Sequence, residues 1–235
     1  MLKRVINGVR RRVESRIQNF ILSAVVKRAP YDYVSLAYFK AAMEASDFFV
    51  EHMPLAEDLL CKADLLKFSV SKVKNDGLWL EFGVFQARDI RIISQHTQGK
   101  VYGFDSFEGL PEDWTFFQRK GRFSLAGGMP EVPDNVELVK GWFQDTLPKF
   151  LEARPDPVAF LHIDSDLYSS AQYVLSSLKD RIVSGTVILF DDFLNYPAWK
   201  EGEAKAFFEF IEESQKEFDY IGFASKQQAV AIRVK

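Results

Sequence analysis

The stretch Gly77-Leu78-Trp79-Leu80-Glu81-Phe82-Gly83-Val84-Phe85-Gln86-Ala87, followed after a mixed segment by Val101-Tyr102-Gly103-Phe104-Asp105-Ser106-Phe107-Glu108, decides the fold. Residues 78–82 form a short apolar run closed by Gly83. Residues 87–94 suit a helical connection, and residues 101–104 are a second apolar run ending on Asp105. This is a β-α-β unit. Such crossovers are almost always right-handed and build parallel sheets, whose ligands sit beyond the carboxyl ends of the strands. A small-molecule site is therefore expected at Gly83 and Asp105.

Working outward, residues 136–139, 158–163 and 186–190 read as further strands, with helices over 169–178 and 203–218. Residues 220–223 and 229–234 are joined closely enough to pair antiparallel. Upstream, apolar residues over 31–72 recur at helical spacing, and Pro54 divides them into two helices. The expected fold is α/β: a doubly wound, mainly parallel seven-stranded sheet with a C-terminal antiparallel hairpin and a helical N-terminal extension. The chain divides into a basic arm (1–30), a helical cap region (31–76) and a catalytic domain (77–235).

The formal net charge of -3 argues against nucleic acid as a partner, and the single Cys61 excludes an internal disulfide framework and fits a reducing, cytoplasmic setting. No apolar run is long enough for a transmembrane helix, and the start lacks the apolar core of a secretory signal. Charge is uneven, because Lys3, Arg4, Arg10, Arg11, Arg12, Arg16, Lys27 and Arg28 face only Glu14 within residues 1–30. Val5, Val9, Val13, Ile17, Phe20, Ile21 and Ala24 make that arm an amphipathic helix by spacing. The favoured reading is an oligomer arm or a helix packed on the acidic body, giving a homo-oligomer. Contact with an anionic membrane surface and an organelle transit peptide are the less favoured readings.

After Asp105, residues 109–135 are punctuated by Pro111, Gly121, Gly127, Gly128, Pro130 and Pro133, with Trp114, Phe116, Phe117 and Phe123 among them. A loop this long is uncommon unless it is functional, so it reads as a substrate-facing lid, the alternative being an ordered loop whose aromatics merely pack.

Acids stand at the strand ends: Glu81, Asp105, Asp164 and the pair Asp191-Asp192. Asp105 follows Gly83 at roughly the 20-residue spacing at which an acid reaches ribose hydroxyls over a glycine turn. The full G-x-G-x-x-G is missing, and Phe85 stands where the second glycine belongs, which disfavours a pyrophosphate and suits a nucleoside without phosphates. A purely structural turn is the competing reading. Asp164, Asp191 and Asp192 converge as hard oxygen ligands for Mg²⁺, Mn²⁺ or Ca²⁺, which would lower the pKa of a bound hydroxyl; capping by Asp191 or Asp192 is the alternative. His162, two residues before Asp164, reads as a core or supporting histidine. Cys61 reads as structural, and no G-x-S-x-G elbow occurs.

With these residues placed, the chain resembles the class I S-adenosylmethionine-dependent methyltransferases, and more narrowly the macrocin O-methyltransferase (TylF/MycF-like) family. The resemblance covers about residues 77–235. It is carried by Glu81-Phe82-Gly83-Val84-Phe85, Tyr102-Gly103-Phe104-Asp105-Ser106-Phe107-Glu108-Gly109-Leu110-Pro111, Gly141-Trp142-Phe143-Gln144-Asp145-Thr146-Leu147-Pro148, Leu161-His162-Ile163-Asp164-Ser165-Asp166-Leu167-Tyr168 and Phe190-Asp191-Asp192-Phe193. It implies methyl transfer from S-adenosylmethionine to a hydroxyl of a small molecule, a sugar or natural-product glycoside, assisted by a divalent metal. By the same resemblance Glu81, Phe82, Gly83 and Phe85 shape the methionine-side turn and Asp105 holds the ribose. Ser106, Gly141, Trp142 and Phe143 line the adenine, Asp164 also faces the cofactor, and Asp164, Asp191 and Asp192 bind Mg²⁺. Ala87 replaces a glycine common late in the first motif. Leu167 stands where catechol-type relatives carry a lysine base, so proton removal falls to Asp164, with Asp166 and His162 as further candidates. A nicotinamide-dependent oxidoreductase and a non-catalytic assembly or membrane-associated partner are the rival readings.

Overall fold

The computed structural model describes residues 32–115 and 117–235. The basic amphipathic arm read at residues 1–30 lies outside the described residues. In chain order the elements are α1 (Tyr33–His52), β1 (Glu57–Asp58), α2 (Lys62–Ser71), β2 (Leu78–Phe82), α3 (Arg88–Ser94), β3 (Val101–Asp105), β4 (Val136–Lys140) and α4 (Phe143–Glu152). They continue with β5 (Val158–Ile163), α5 (Tyr168–Ser177), β6 (Ile182–Phe190), a single 3₁₀ turn (Trp199–Glu201), α6 (Glu203–Ser214), β7 (Phe218–Phe223) and β8 (Val230–Val234).

The strands form one sheet in the order β1-β7-β8-β6-β5-β2-β3-β4. β2 pairs parallel with β3 on one side and β5 on the other, and only β8 runs antiparallel to its neighbours β6 and β7. The doubly wound sheet with its terminal hairpin is therefore present, with one strand more than the seven expected. The addition is the two-residue edge strand β1, too short and too polar to show a period-2 pattern.

Central strands are buried on both faces and read as continuous apolar runs rather than alternating ones. Alternate residues serve opposite layers. Leu80 and Phe82 join one core with Phe104, Ile163, Phe190 and the apolar faces of α1, α4, α5 and α6. Trp79, Val101, Phe160, Val187 and Leu189 join the other, with Leu65, Leu66 and Val70 of α2 and Ile90 and Ile93 of α3. Both helices of the N-terminal extension are thus built into the packed layers.

Residues 143–152, which periodicity left unassigned, fold as α4 despite Pro148. A proline inside a helix costs about 3 kcal/mol or more. Burial of Leu147 and Phe150 offsets it, with the Phe150 ring 4.8 Å from Tyr102 and 5.0 Å from Phe104. None of the described helices is long and apolar enough to cross a membrane.

Candidate active site

A cavity of about 1310 Å³ opens over the carboxyl ends of the central strands. Its floor is the turn after β2. Gly83 has φ +93°, and a Cβ there would lie 1.7 Å from the Asp164 carbonyl oxygen, so only glycine lets β2 pass so close to the end of β5. Ala87, where a glycine is common, adopts φ 59° and is fully buried, its N–H donating to the Val84 carbonyl at 2.8 Å. Alanine holds a left-handed conformation there at some cost in strain, and the turn keeps its shape.

Asp105 is bound into this turn. Its Oδ2 accepts the N–H groups of Val84 and Phe85, both at 2.8 Å, and its Oδ1 accepts that of Phe107 at 2.6 Å. The amides that in a dinucleotide fold face a pyrophosphate are here spent on the chain's own carboxylate. Oδ1 keeps acceptor capacity toward the cavity. The Phe85 ring stands edge-on to Phe123 at 5.6 Å, which brings the loop after β3 over the turn.

That loop is tied down along its length. Leu110 N donates to the Arg122 carbonyl and Gly121 N to the Leu110 carbonyl, each at 2.9 Å; Gly127 N donates to the Phe107 carbonyl, also at 2.9 Å. Trp114 leans on Tyr196 at 5.7 Å, and Leu110, Trp114 and Phe117 face the cavity. Tyr33, Val34 and Tyr38 of α1 line it from another side.

The tips of β5 and β6 carry the acids. One oxygen each of Asp164, Asp191 and Asp192 lie within 4.8 Å of one another, as do ligand atoms of Asp89, His162 and Asp164. Into this cluster projects Lys62, the first residue of α2. Its Nζ is 2.8 Å from Asp89, 2.8 Å from Asp164 and 2.7 Å from Asp191. Burial by itself favours the neutral amine, but the charges of Asp164, Asp191 and Asp89 outweigh it and hold the Lys62 pKa well above its ordinary value. Burial likewise works to raise Asp89, yet the Lys62 charge keeps it below the usual carboxylate range.

The other acids of the cluster move the opposite way. Burial first, then the charges of Asp164 and Asp191, raise Asp166, and burial with the charge of Asp166 raises Asp192. Asp191 is also raised, by burial and by Asp164, with Lys62 opposing. Beneath them Glu203 is fully buried and braces both tips: its Oε1 accepts the N–H of Ser165 and its Oε2 that of Asp192, both at 3.2 Å. Burial foremost holds its pKa well up.

Of the residues expected at the site, Glu81, Gly83, Phe85, Asp105 and Ser106 reach the cavity wall. So do Trp142, Phe143, Asp164, Asp166, Asp191 and Asp192. Phe82, Gly141 and His162 do not. Phe82 is stacked on Phe104 at 4.6 Å inside the core, Gly141 serves the turn before α4 with φ +139°, and His162 is fully buried. The His162 Nδ1 lies 2.8 Å from Glu81 Oε1. Burial pushes Glu81 up to about 7, with the His162 hydrogen bond opposing it; burial works to lower His162, but the hydrogen bond to Glu81 wins and raises it.

Lys62, Asp89, Tyr196 and Glu203 were missed by sequence reasoning. Lys62 comes from a helix start in the N-terminal extension and Asp89 from inside the first crossover, so neither lies at a strand tip, where functional acids were sought.

Solved structures with this architecture define the fold class. A calicheamicin methyltransferase, CalS11, aligns with a TM-score of 0.59 at 21% identity, covering 86% of this chain and 91% of that one. The O-methyltransferase NovP aligns at 0.56 with 22% identity over 73% and 78%. The fold is that of the Rossmann-like methyltransferases. Within the sequence, residues 130–219 match the family model described as Macrocin-O-methyltransferase (TylF).

Two curated relatives, both from Streptomyces, are similar to the chain. The 8-demethyl-8-(2,3-dimethoxy-alpha-L-rhamnosyl)-tetracenomycin-C 4'-O-methyltransferase of Streptomyces olivaceus is 30% identical over 161 residues, 57% of this chain and 60% of that protein. The demethyldecarbamoylnovobiocin O-methyltransferase of Streptomyces niveus is 31% identical over 151 residues, 56% and 54% respectively. The match thus spans a little over half the length of these relatives.

Proposed function

We propose that this chain is an S-adenosylmethionine-dependent O-methyltransferase acting on a hydroxyl of a small molecule, a sugar or natural-product glycoside. The observation that carries the reading is the double use of one cavity. Its glycine turn has given its amides to Asp105 and so suits a nucleoside rather than a pyrophosphate, while strand-tip acids face the same space. The activities by which the two curated relatives are named, methyl transfer to oxygen, agree with it.

In this reading Asp105 meets the ribose through the free capacity of Oδ1, and Ser106, Trp142 and Phe143 border the adenine. The acceptor enters beneath the loop of residues 109–135, between Trp114, Tyr196 and the tyrosines of α1. Asp164 takes the hydroxyl proton. Asp166 is the alternative base at the cavity wall, while His162 is buried against Glu81 and does not reach the cavity. Because the sulfonium is already an activated donor, alignment of the acceptor oxygen with the methyl group supplies much of the acceleration.

The carboxylates of Asp164, Asp191 and Asp192 fit a divalent ion in donor type and mutual distance. Mg²⁺ or Mn²⁺ held there would lower the pKa of the acceptor hydroxyl. Calorimetry with S-adenosylmethionine and with NAD tests the donor: binding of the first and not the second is expected, and the reverse would sink the reading in favour of a nicotinamide enzyme. Labelled methyl transfer to a panel of glycosides and phenols tests the acceptor. Full turnover in a strong chelator would remove the metal from the scheme.

A further inference from the structure

The charge arrangement around Lys62 goes beyond this reading. A single ammonium touches three carboxylates from three elements: Asp89 in α3, Asp164 after β5 and Asp191 after β6. Two of these belong to the set that fits a divalent ion. A metal ion binds carboxylate oxygens at roughly 2.1 Å, so an ion sharing those oxygens with the ammonium would place two cations within a few ångströms of each other. In a partly desolvated cluster that repulsion is not screened away.

The position of Lys62 gives a second, independent indication. It is the first residue of α2, where the helix dipole disfavours a cation and favours an anion. Lys62 is therefore held at this helix start by the acids it faces and not by any benefit to its own helix. Its main-chain N–H is fixed by the side chain of Gln227, which anchors the root of the side chain and leaves its four-carbon stem free to rotate. The side chain keeps 19% of its surface accessible and borders the open space of the cavity.

We infer that Lys62 is the resident cation of the strand-tip acids and that it and a divalent ion exclude one another, so that the ion enters only as the Lys62 side chain withdraws into the cavity. Lys62 is then a positioning residue in the ion-free protein: it holds Asp164 and Asp191 together, and it sets how tightly the protein takes up metal. The inference deepens the methyl-transfer reading at its metal and rests on it for what the ion is used for. The ion competition itself is independent of any methyl donor.

The test is titration of the whole chain with Mn²⁺ alone, read by electron paramagnetic resonance, in the wild type, Lys62→Met, Lys62→Arg and the double variant Lys62→Met/Asp191→Asn. Lys62→Met is expected to bind Mn²⁺ at least 10-fold more tightly than wild type, Lys62→Arg to stay as weak as wild type, and the double variant to lose the gain. Equal affinity in wild type and Lys62→Met overturns the inference, whether both bind or neither does.

Removing the ammonium that three acids share can also unfold the chain, so thermal denaturation supplies a second reading. The melting temperature of Lys62→Met should fall below wild type without metal and be restored by Mn²⁺, while that of wild type barely moves. A Lys62→Met chain that cannot be recovered with or without the ion overturns the interchange of the two cations. Loss of S-adenosylmethionine binding in the wild type would sink the methyl-transfer reading and leave this competition standing.

Discussion

Asp105 and Asp164 both stand at the carboxyl ends of parallel strands and both face the same cavity, yet they are satisfied in opposite ways. Asp105 spends its charge on three main-chain amides of its own and the neighbouring turn. Asp164 and its neighbour Asp191 lean on one side-chain ammonium. An acid held by backbone is part of the fold and cannot exchange partners without the turn coming apart. An acid held by a flexible lysine can exchange one cation for another. The first half of the site is therefore a fixed cradle, and the second half is a place where charge is handed over.

The comparison is broken most severely at Asp105. Asp105→Ala leaves three amides without acceptors and should cost about 2–4 kcal/mol in urea denaturation, together with binding of the methyl donor. Retention of wild-type stability would show that the turn does not depend on its carboxylate. Asp191→Ala should behave differently, lowering metal-dependent turnover by roughly 100-fold or more while donor binding measured by calorimetry stays near wild type. A parallel loss of donor binding would erase the distinction between the two halves.

Glu203→Gln tests the brace under the acid tips. It removes one of two carboxylate acceptors and should lower stability by about 1–2 kcal/mol, with turnover falling more than donor affinity. Trp114→Ala, which removes the edge contact with Tyr196, should raise KM for the acceptor several-fold at little cost in kcat. The smallest effect belongs to Asp32, whose side chain accepts the Ser35 N–H at 3.0 Å at the start of α1: it is a backbone-held acid like Asp105, but at the surface. That hydrogen bond lowers its pKa from the ordinary value. The cap is therefore fully formed above the usual carboxylate range and lost as pH falls through the lowered value; Asp32→Ala should speed amide exchange in the first turn of α1 above that range and not below it.

Much of this was legible in the chain. The apolar runs closed by Gly83 and Asp105 are local, and the right-handed crossover they imply fixes a parallel sheet with its ligand end at those residues. The acids at 164, 191 and 192 were equally visible, since a carboxylate at the end of a buried strand has a definite place in such a sheet. Helix α4 was not visible, because Pro148 contradicts it locally and only packing of Phe150 against Tyr102 and Phe104 reverses that preference. Lys62 was not visible for a related reason. The acids near it in sequence, Glu57, Asp58 and Asp64, are not the ones it pairs with, and its partners lie 27, 102 and 129 positions away.

The sequence by itself determined which runs are strands, where the cavity must open and which acids border it, because these follow from apolar runs and from the geometry of the crossover. Only the tertiary structure decided who satisfies those acids. Hydrogen bonds and ion pairs between elements depend on how α2, α3, β5 and β6 are brought together, and charge reaches through space without regard to distance along the chain. That is why Asp105 proved to be tied to backbone amides and Asp164 to a lysine from the start of α2.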